Sequence, residues 1–120
     1  MNILAVDDKK DILTLIKTIL EFEGHTVTDV DNGDDAIMAC GTTSFDLILL
    51  DLMMDGKDGF TTLDIIRRST FNASTHVIAL TAKAYNSDRT LVLTRGFNDH
   101  IAKPFRAAEL IQKVALLSRK

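Results

Sequence analysis

Apolar and polar positions alternate along this chain in two rhythms, short apolar runs and longer stretches with helical spacing. The first run, Asn2–Val6, leads into Ile12, Leu15, Ile16, Ile19 and Leu20, whose i, i+3, i+4, i+7, i+8 spacing predicts one helical stripe, ended by Gly24. Thr26–Val30 alternates like a second strand, and Asn32-Gly33-Asp34-Asp35 opens a short helix with Ala36, Ile37 and Cys40 on its apolar side. Phe45–Leu50 is almost continuously apolar, as a central parallel strand covered on both faces should be. Gly56 and Gly59 bracket the loop after Asp51, and Phe60, Leu63 and Ile66 carry a third helix before the polar stretch Ser69–Thr75. His76–Leu80 reads as a fourth strand, Asn86–Arg95 as a fourth helix closed by Gly96, and Asp99–Ala102 as a short fifth strand. Ala107, Leu110, Ile111, Val114 and Leu117 give a final amphipathic helix.

Strict alternation of strand and helix predicts a mainly parallel sheet with right-handed crossovers and helices on both faces. The expected fold class is α/β, a flavodoxin-like three-layer α/β/α sandwich with a five-stranded parallel sheet in the order 2-1-3-4-5. In that order the first and third strands lie side by side at the switch point, where such sheets place their chemistry. The polar residues that close the apolar runs then converge on one rim: Asp7 and Asp8, Asp51, Thr81 and Lys103.

At 120 residues the chain is expected to form a single domain over 1–120, with a core that needs no disulfide or structural metal. A net charge of −3 gives no electrostatic reason for direct binding to nucleic acid or an anionic membrane. No stretch approaches the roughly 18 apolar residues of a membrane span, and no secretory signal pattern follows Met1. The lone Cys40 excludes an intramolecular disulfide and a multi-cysteine metal site, so a reducing, cytoplasmic setting fits best.

Three carboxylates in a partly desolvated crevice repel one another unless they are protonated or neutralised by cations. A hard divalent ion with oxygen ligands answers that need, and Mg²⁺, which retains waters and accepts phosphate oxygens, suits a site with few protein ligands. Phosphoryl transfer asks chiefly for positioning and charge neutralisation, and a carboxylate can act as its nucleophile. Asp51, alone at the end of the central strand, is the candidate nucleophile; Asp7 and Asp8 would hold the metal, and Lys103 and the Thr81 hydroxyl would each meet a phosphoryl oxygen.

With these residues in place the chain resembles the response-regulator receiver domains of two-component signalling. The resemblance is carried by Val6-Asp7-Asp8, Asp51-Leu52-Met53-Met54 with Asp58-Gly59, Leu80-Thr81-Ala82 and Lys103-Pro104-Phe105. It implies a phosphorylatable switch that takes a phosphoryl group from a histidine kinase or histidine phosphotransfer protein onto Asp51. The implied metal set is Asp7, Asp8, Asp51 and the Met53 carbonyl around Mg²⁺. A cis bond before Pro104 is implied to orient Lys103, and Thr81 and His100 are implied as switch residues. The implied readers are a downstream target, a fused output domain or a phosphorylation-dependent dimer. Three residues depart from the family pattern: Asp55 stands where proline is usual, His100 where tyrosine or phenylalanine is common, and Lys9 where another acid or an amide is common.

Simpler readings compete residue by residue. Asp7-Asp8 could be a helix-capping pair, Asp51 a turn acid, Thr81 a satisfied strand-end hydroxyl and Lys103 a solvated cation. His25 and His76 lack ligand partners at metal spacing, Met53 and Met54 read as loop and core fillers, Cys40 as an inert buried thiol, and Asp34-Asp35 as a solvated first turn. A phosphohydrolase with an aspartyl nucleophile would favour an acid two residues after Asp51, where Met53 stands. A flavin module would need a Gly/Ser/Thr-rich phosphate loop in place of Asp7-Asp8-Lys9-Lys10-Asp11. Neither Met53 nor Lys83 can orient a water toward an acyl phosphate, so hydrolysis is expected to be slow.

Overall fold

The computed structural model describes residues 1–54, 56–82 and 89–118. Its elements are β1 (Asn2–Val6), α1 (Lys10–Phe22), β2 (Thr26–Val30), α2 (Gly33–Thr42), β3 (Leu47–Asp51), α3 (Gly59–Ile66), β4 (His76–Ala82), α4 (Arg89–Thr94), β5 (Asp99–Lys103) and α5 (Ala107–Ser118). The strands form one parallel sheet in the order β2-β1-β3-β4-β5, as the alternating pattern predicts. Asp55 and Lys83, and the predicted start of the fourth helix at Asn86, lie outside the described residues.

Strand periodicity divides the core into two layers, because successive side chains point to opposite faces. Leu4, Val6, Ile48, Leu50, Val77 and Ala79 pack with Ala36 and Cys40 of α2, Leu63 and Ile66 of α3, and Val92 of α4. Their neighbours Ile3, Ala5, Leu47, Leu49, Ile78 and Leu80 pack with Leu13, Ile16 and Leu20 of α1 and with Leu110 and Val114 of α5. Every residue of β3 is buried, which confirms its place at the centre.

The expected boundaries shift in instructive ways. Phe45 belongs to the core but not to β3, because its N–H donates to the Asn72 side chain at 3.0 Å. At the other end β3 continues through Asp51, which pairs in register with Leu80. On α1 the buried stripe is Leu13, Ile16 and Leu20, with Ile12 and Ile19 at its margins and Leu15 exposed. The sequence offers apolar residues at both 12 and 13, and Leu13, three and seven positions before Ile16 and Leu20, is the one that is buried with them. Gly24 and Gly96 adopt positive φ of 93° and 107° directly after their helices, the backbone state that favours glycine at a helix end.

Candidate functional site

Parallel register builds the site at the carboxyl ends of the strands. Asp51 lies beside Leu80, Thr81 one step further beside Ala102, and Ala82 beside Lys103. Asp7 follows β1 directly, its N–H donating to Val30 O at 3.3 Å. A second device fixes Asp51 from behind: Asp58 caps α3 by accepting from Thr61 N–H at 2.8 Å. The next residue, Gly59, packs on the Asp51-Leu52 backbone so closely that a β-carbon there would lie 2.8 Å from Leu52 Cα. In the sequence Gly59 stands as a loop residue and as part of the Asp58-Gly59 motif; its close approach to the Asp51 strand is signalled there only by a glycine opening a helix directly after a capping acid.

Lys103 joins two of the acids. Its ammonium donates to Asp7 Oδ2 at 3.0 Å and lies 3.2 Å from Asp51 Oδ1. Asp7 Oδ1 accepts from Lys9 N–H at 2.9 Å, and Asp51 Oδ1 accepts from Met53 N–H at 3.2 Å. The capping alternative for the acid pair therefore fails: the N-cap of α1 is Lys9, with no side-chain capping bond. Asp51 Oδ2, by contrast, is buried and has no hydrogen-bond partner among the described residues.

Burial, and next the charge of Asp7, push the Asp51 carboxyl up to about 6, against the pull of Lys103 and the Met53 N–H. Burial by itself would lower the Lys103 ammonium, but its hydrogen bond to Asp7 and the charges of Asp51 and Asp7 outweigh it and raise the pKa. Asp7, Asp8 and Asp51 offer carboxylate oxygens that all lie within 4.8 Å of one another. An all-oxygen donor set of this size, with a buried oxygen of Asp51 left over, fits a hard divalent cation. A cavity of about 300 Å³ opens over Asp51 and Lys103, walled by Lys9, Ile12, Met53, Ala82 and Pro104.

The structure thus brings Asp7, Asp8, Asp51 and Lys103 together, with Met53 at the cavity wall and its side chain exposed. Thr81 is fully buried, its hydroxyl 3.5 Å from Ile101 O. His100, beside Ala79 in the sheet, holds a buried Nδ1 without a hydrogen-bond partner among the described residues. The Lys103–Pro104 bond is cis. The bland readings hold elsewhere: burial raises the Cys40 thiol to about 11, Met54 fills the core, and Asp34 and Asp35 lie exposed behind the Asn32 cap.

A doubly covered parallel sheet that gathers its acids at one rim beside a lysine is the arrangement of two-component receivers. The chain belongs to the response regulator receiver domain family, whose profile matches residues 3–115. It is 38% identical over 119 residues to the transcriptional regulatory protein ResD of Bacillus subtilis, covering 99% of this chain and 48% of ResD. It is also 38% identical to CpxR of Escherichia coli K12, covering 99% of this chain and 50% of CpxR. The chain therefore spans about half the length of the curated relatives it matches. Among solved structures, the receiver domain of the Francisella response regulator 1452 superposes with a TM-score of 0.88 at 35% identity, covering 98% of this chain and 96% of that one. The receiver domain of the sensor histidine kinase PA1611 of Pseudomonas aeruginosa, with magnesium coordinated in its active-site cleft, gives a TM-score of 0.85 at 36% identity, covering 98% and 94%.

Proposed function

We propose that residues 1–120 act as one receiver domain in which Asp51 accepts a phosphoryl group from a phosphohistidine of a histidine kinase or phosphotransfer protein. The observation that carries this reading is Asp51 Oδ2, a buried carboxylate oxygen with no hydrogen-bond partner among the described residues, under a cavity shared with Lys103. Its other oxygen is held by Met53 N–H and Lys103, so the carboxylate is oriented before a donor arrives.

In the transfer, Asp51 Oδ2 forms a bond to phosphorus as the phosphorus–nitrogen bond of the donor breaks, and the imidazole leaves with that electron pair. Lys103 turns from the carboxylates toward a phosphoryl oxygen, and the Thr81 hydroxyl moves away from Ile101 O to donate to another. Asp7, Asp8, Asp51 and the Met53 carbonyl would hold Mg²⁺, which supplies charge neutralisation for the incoming phosphoryl oxygens. Asp7 doubles as the anchor of Lys103.

The new dianion gives Thr81 a partner in one state only, and this difference biases β4 and β5, where His100 repacks. The readers of that change are a downstream protein or an output domain in a longer chain. No helix among the described residues is long and apolar enough to cross a membrane, and a cytoplasmic setting suits a kinase-fed switch. Self-catalysed phosphotransfer and slow autodephosphorylation complete the cycle.

Intact-mass measurement after incubation with acetyl phosphate and Mg²⁺ tests the assignment. Wild type is expected to gain one phosphoryl group and Asp51→Asn none; equal labelling of both would overturn it.

A further inference from the structure

Two lysines share the three acids of the site. Lys103 lies on Asp7 and Asp51. Lys9 is fixed at the mouth of the site by its backbone N–H, which donates to Asp7 Oδ1 at 2.9 Å, and its ammonium stands 3.7 Å from Asp8 Oδ1. The same side chain walls the cavity above Asp51.

We propose that Lys9 is a built-in counter-ion of the metal site, which a divalent cation must displace from Asp8, so that this side chain sets the Mg²⁺ affinity. The inference rests on the reading above, in which Asp8 serves the metal. A dication approaching Asp8 meets a like charge within a few ångströms, and that repulsion opposes only the metal-bound state. Lys9 is 63% exposed, so its flexible stem can swing the ammonium into solvent, and water and salt screen what remains. The effect is therefore several-fold rather than of many orders. Without metal, the same ammonium relieves the repulsion among the acids. Removing it both favours the cation and weakens the metal-free fold.

Calorimetric titration with Mg²⁺ alone separates these effects, using wild type, Lys9→Gln, Asp8→Ala and Lys17→Gln. Lys17 pairs with Asp29 at 3.5 Å about two turns along α1, so its loss changes net charge equally while sparing the site. Lys9→Gln is expected to bind Mg²⁺ about three- to tenfold more tightly than wild type, with Lys17→Gln within about twofold of it. The melting temperature in EDTA is expected to fall for Lys9→Gln, and saturating Mg²⁺ to restore it. Unchanged or weaker binding by Lys9→Gln, beside normal binding by wild type, overturns the role of Lys9 and leaves the phosphoacceptor reading standing. Equal tightening in both lysine variants overturns it too, since net charge alone would then set the affinity. Asp8→Ala binding as tightly as wild type overturns the metal assignment itself, and the role of Lys9 with it.

Discussion

Two buried polar residues, one at each end of the sheet, have opposite circumstances. At the amino end Asn72 is fully buried and fully used: Oδ1 accepts from Phe45 N–H at 3.0 Å and Thr75 Oγ1 at 2.9 Å, while Nδ2 donates to Cys40 O at 2.8 Å and Thr43 O at 2.7 Å. At the carboxyl end Asp51 is equally buried, carries a charge, and keeps one oxygen without a hydrogen-bond partner among the described residues. Complete satisfaction makes Asn72 a fastener that ties the end of α2 to the segments leading into β3 and β4. Incomplete satisfaction leaves Asp51 able to gain a new bond, at the expense of the fold around it.

The largest expected effect comes from breaking the fastener. Asn72→Ala leaves Phe45 N–H, Cys40 O and Thr43 O without this partner inside the protein, and unfolding by urea should show a loss on the order of 4 kcal/mol. Whatever remains folded should still be phosphorylated, because none of these contacts reaches Asp51.

A smaller effect of opposite kind is expected at the other end. The Asp51 carboxyl sits near 6 in the fold against an ordinary value of 3.8, so the folded chain binds that proton more tightly than the unfolded chain does. Stability from this group is fully present below about pH 4 and is lost as pH rises through about 6, a swing of about 3 kcal/mol at most. Denaturation in EDTA between pH 4 and 7.5 should show this decline in wild type and not in Asp51→Asn, and saturating Mg²⁺ should flatten it. A wild type with no such decline would remove the contrast with Asn72.

The smallest effect sharpens the comparison by touching only the support of Asp51. Gly59→Ala forces a β-carbon against the Asp51-Leu52 backbone. It should destabilise by about 2 kcal/mol, the usual penalty for overpacking. Unlike Asn72→Ala, it should also slow phosphorylation, because the carboxylate it displaces is the proposed acceptor. Intact-mass time courses on both variants decide between shared and separate consequences.

The same contrast explains what could be read from the residues alone. Asp7, Asp51, Thr81 and Lys103 were legible because each ends an apolar run, and a parallel sheet aligns such ends on one rim. Asn72 was not, since it lies within the polar stretch Ser69–Thr75, and nothing in that stretch shows which amide turns inward. The close seat of Gly59 and the exposure of Leu15 depend on how helices settle against the sheet, a three-dimensional fact that one-dimensional spacing leaves open. Strand identities were secure where burial is two-sided, as in β3, and their limits moved where a side chain replaced the ladder, as at Phe45.

Sheet order also assigns mechanical parts. Asp51 stands on β3, which is hydrogen-bonded to β1 on one side and β4 on the other, whereas Lys103 and His100 stand on β5, the edge strand, held by β4 alone. A strand clamped from both sides is stiff and a strand clamped from one side is compliant. Under the proposed function, the event would be received on the strand paired on both sides and passed to the strand paired on one, so displacement would travel outward toward the surface and leave the centre of the sheet still.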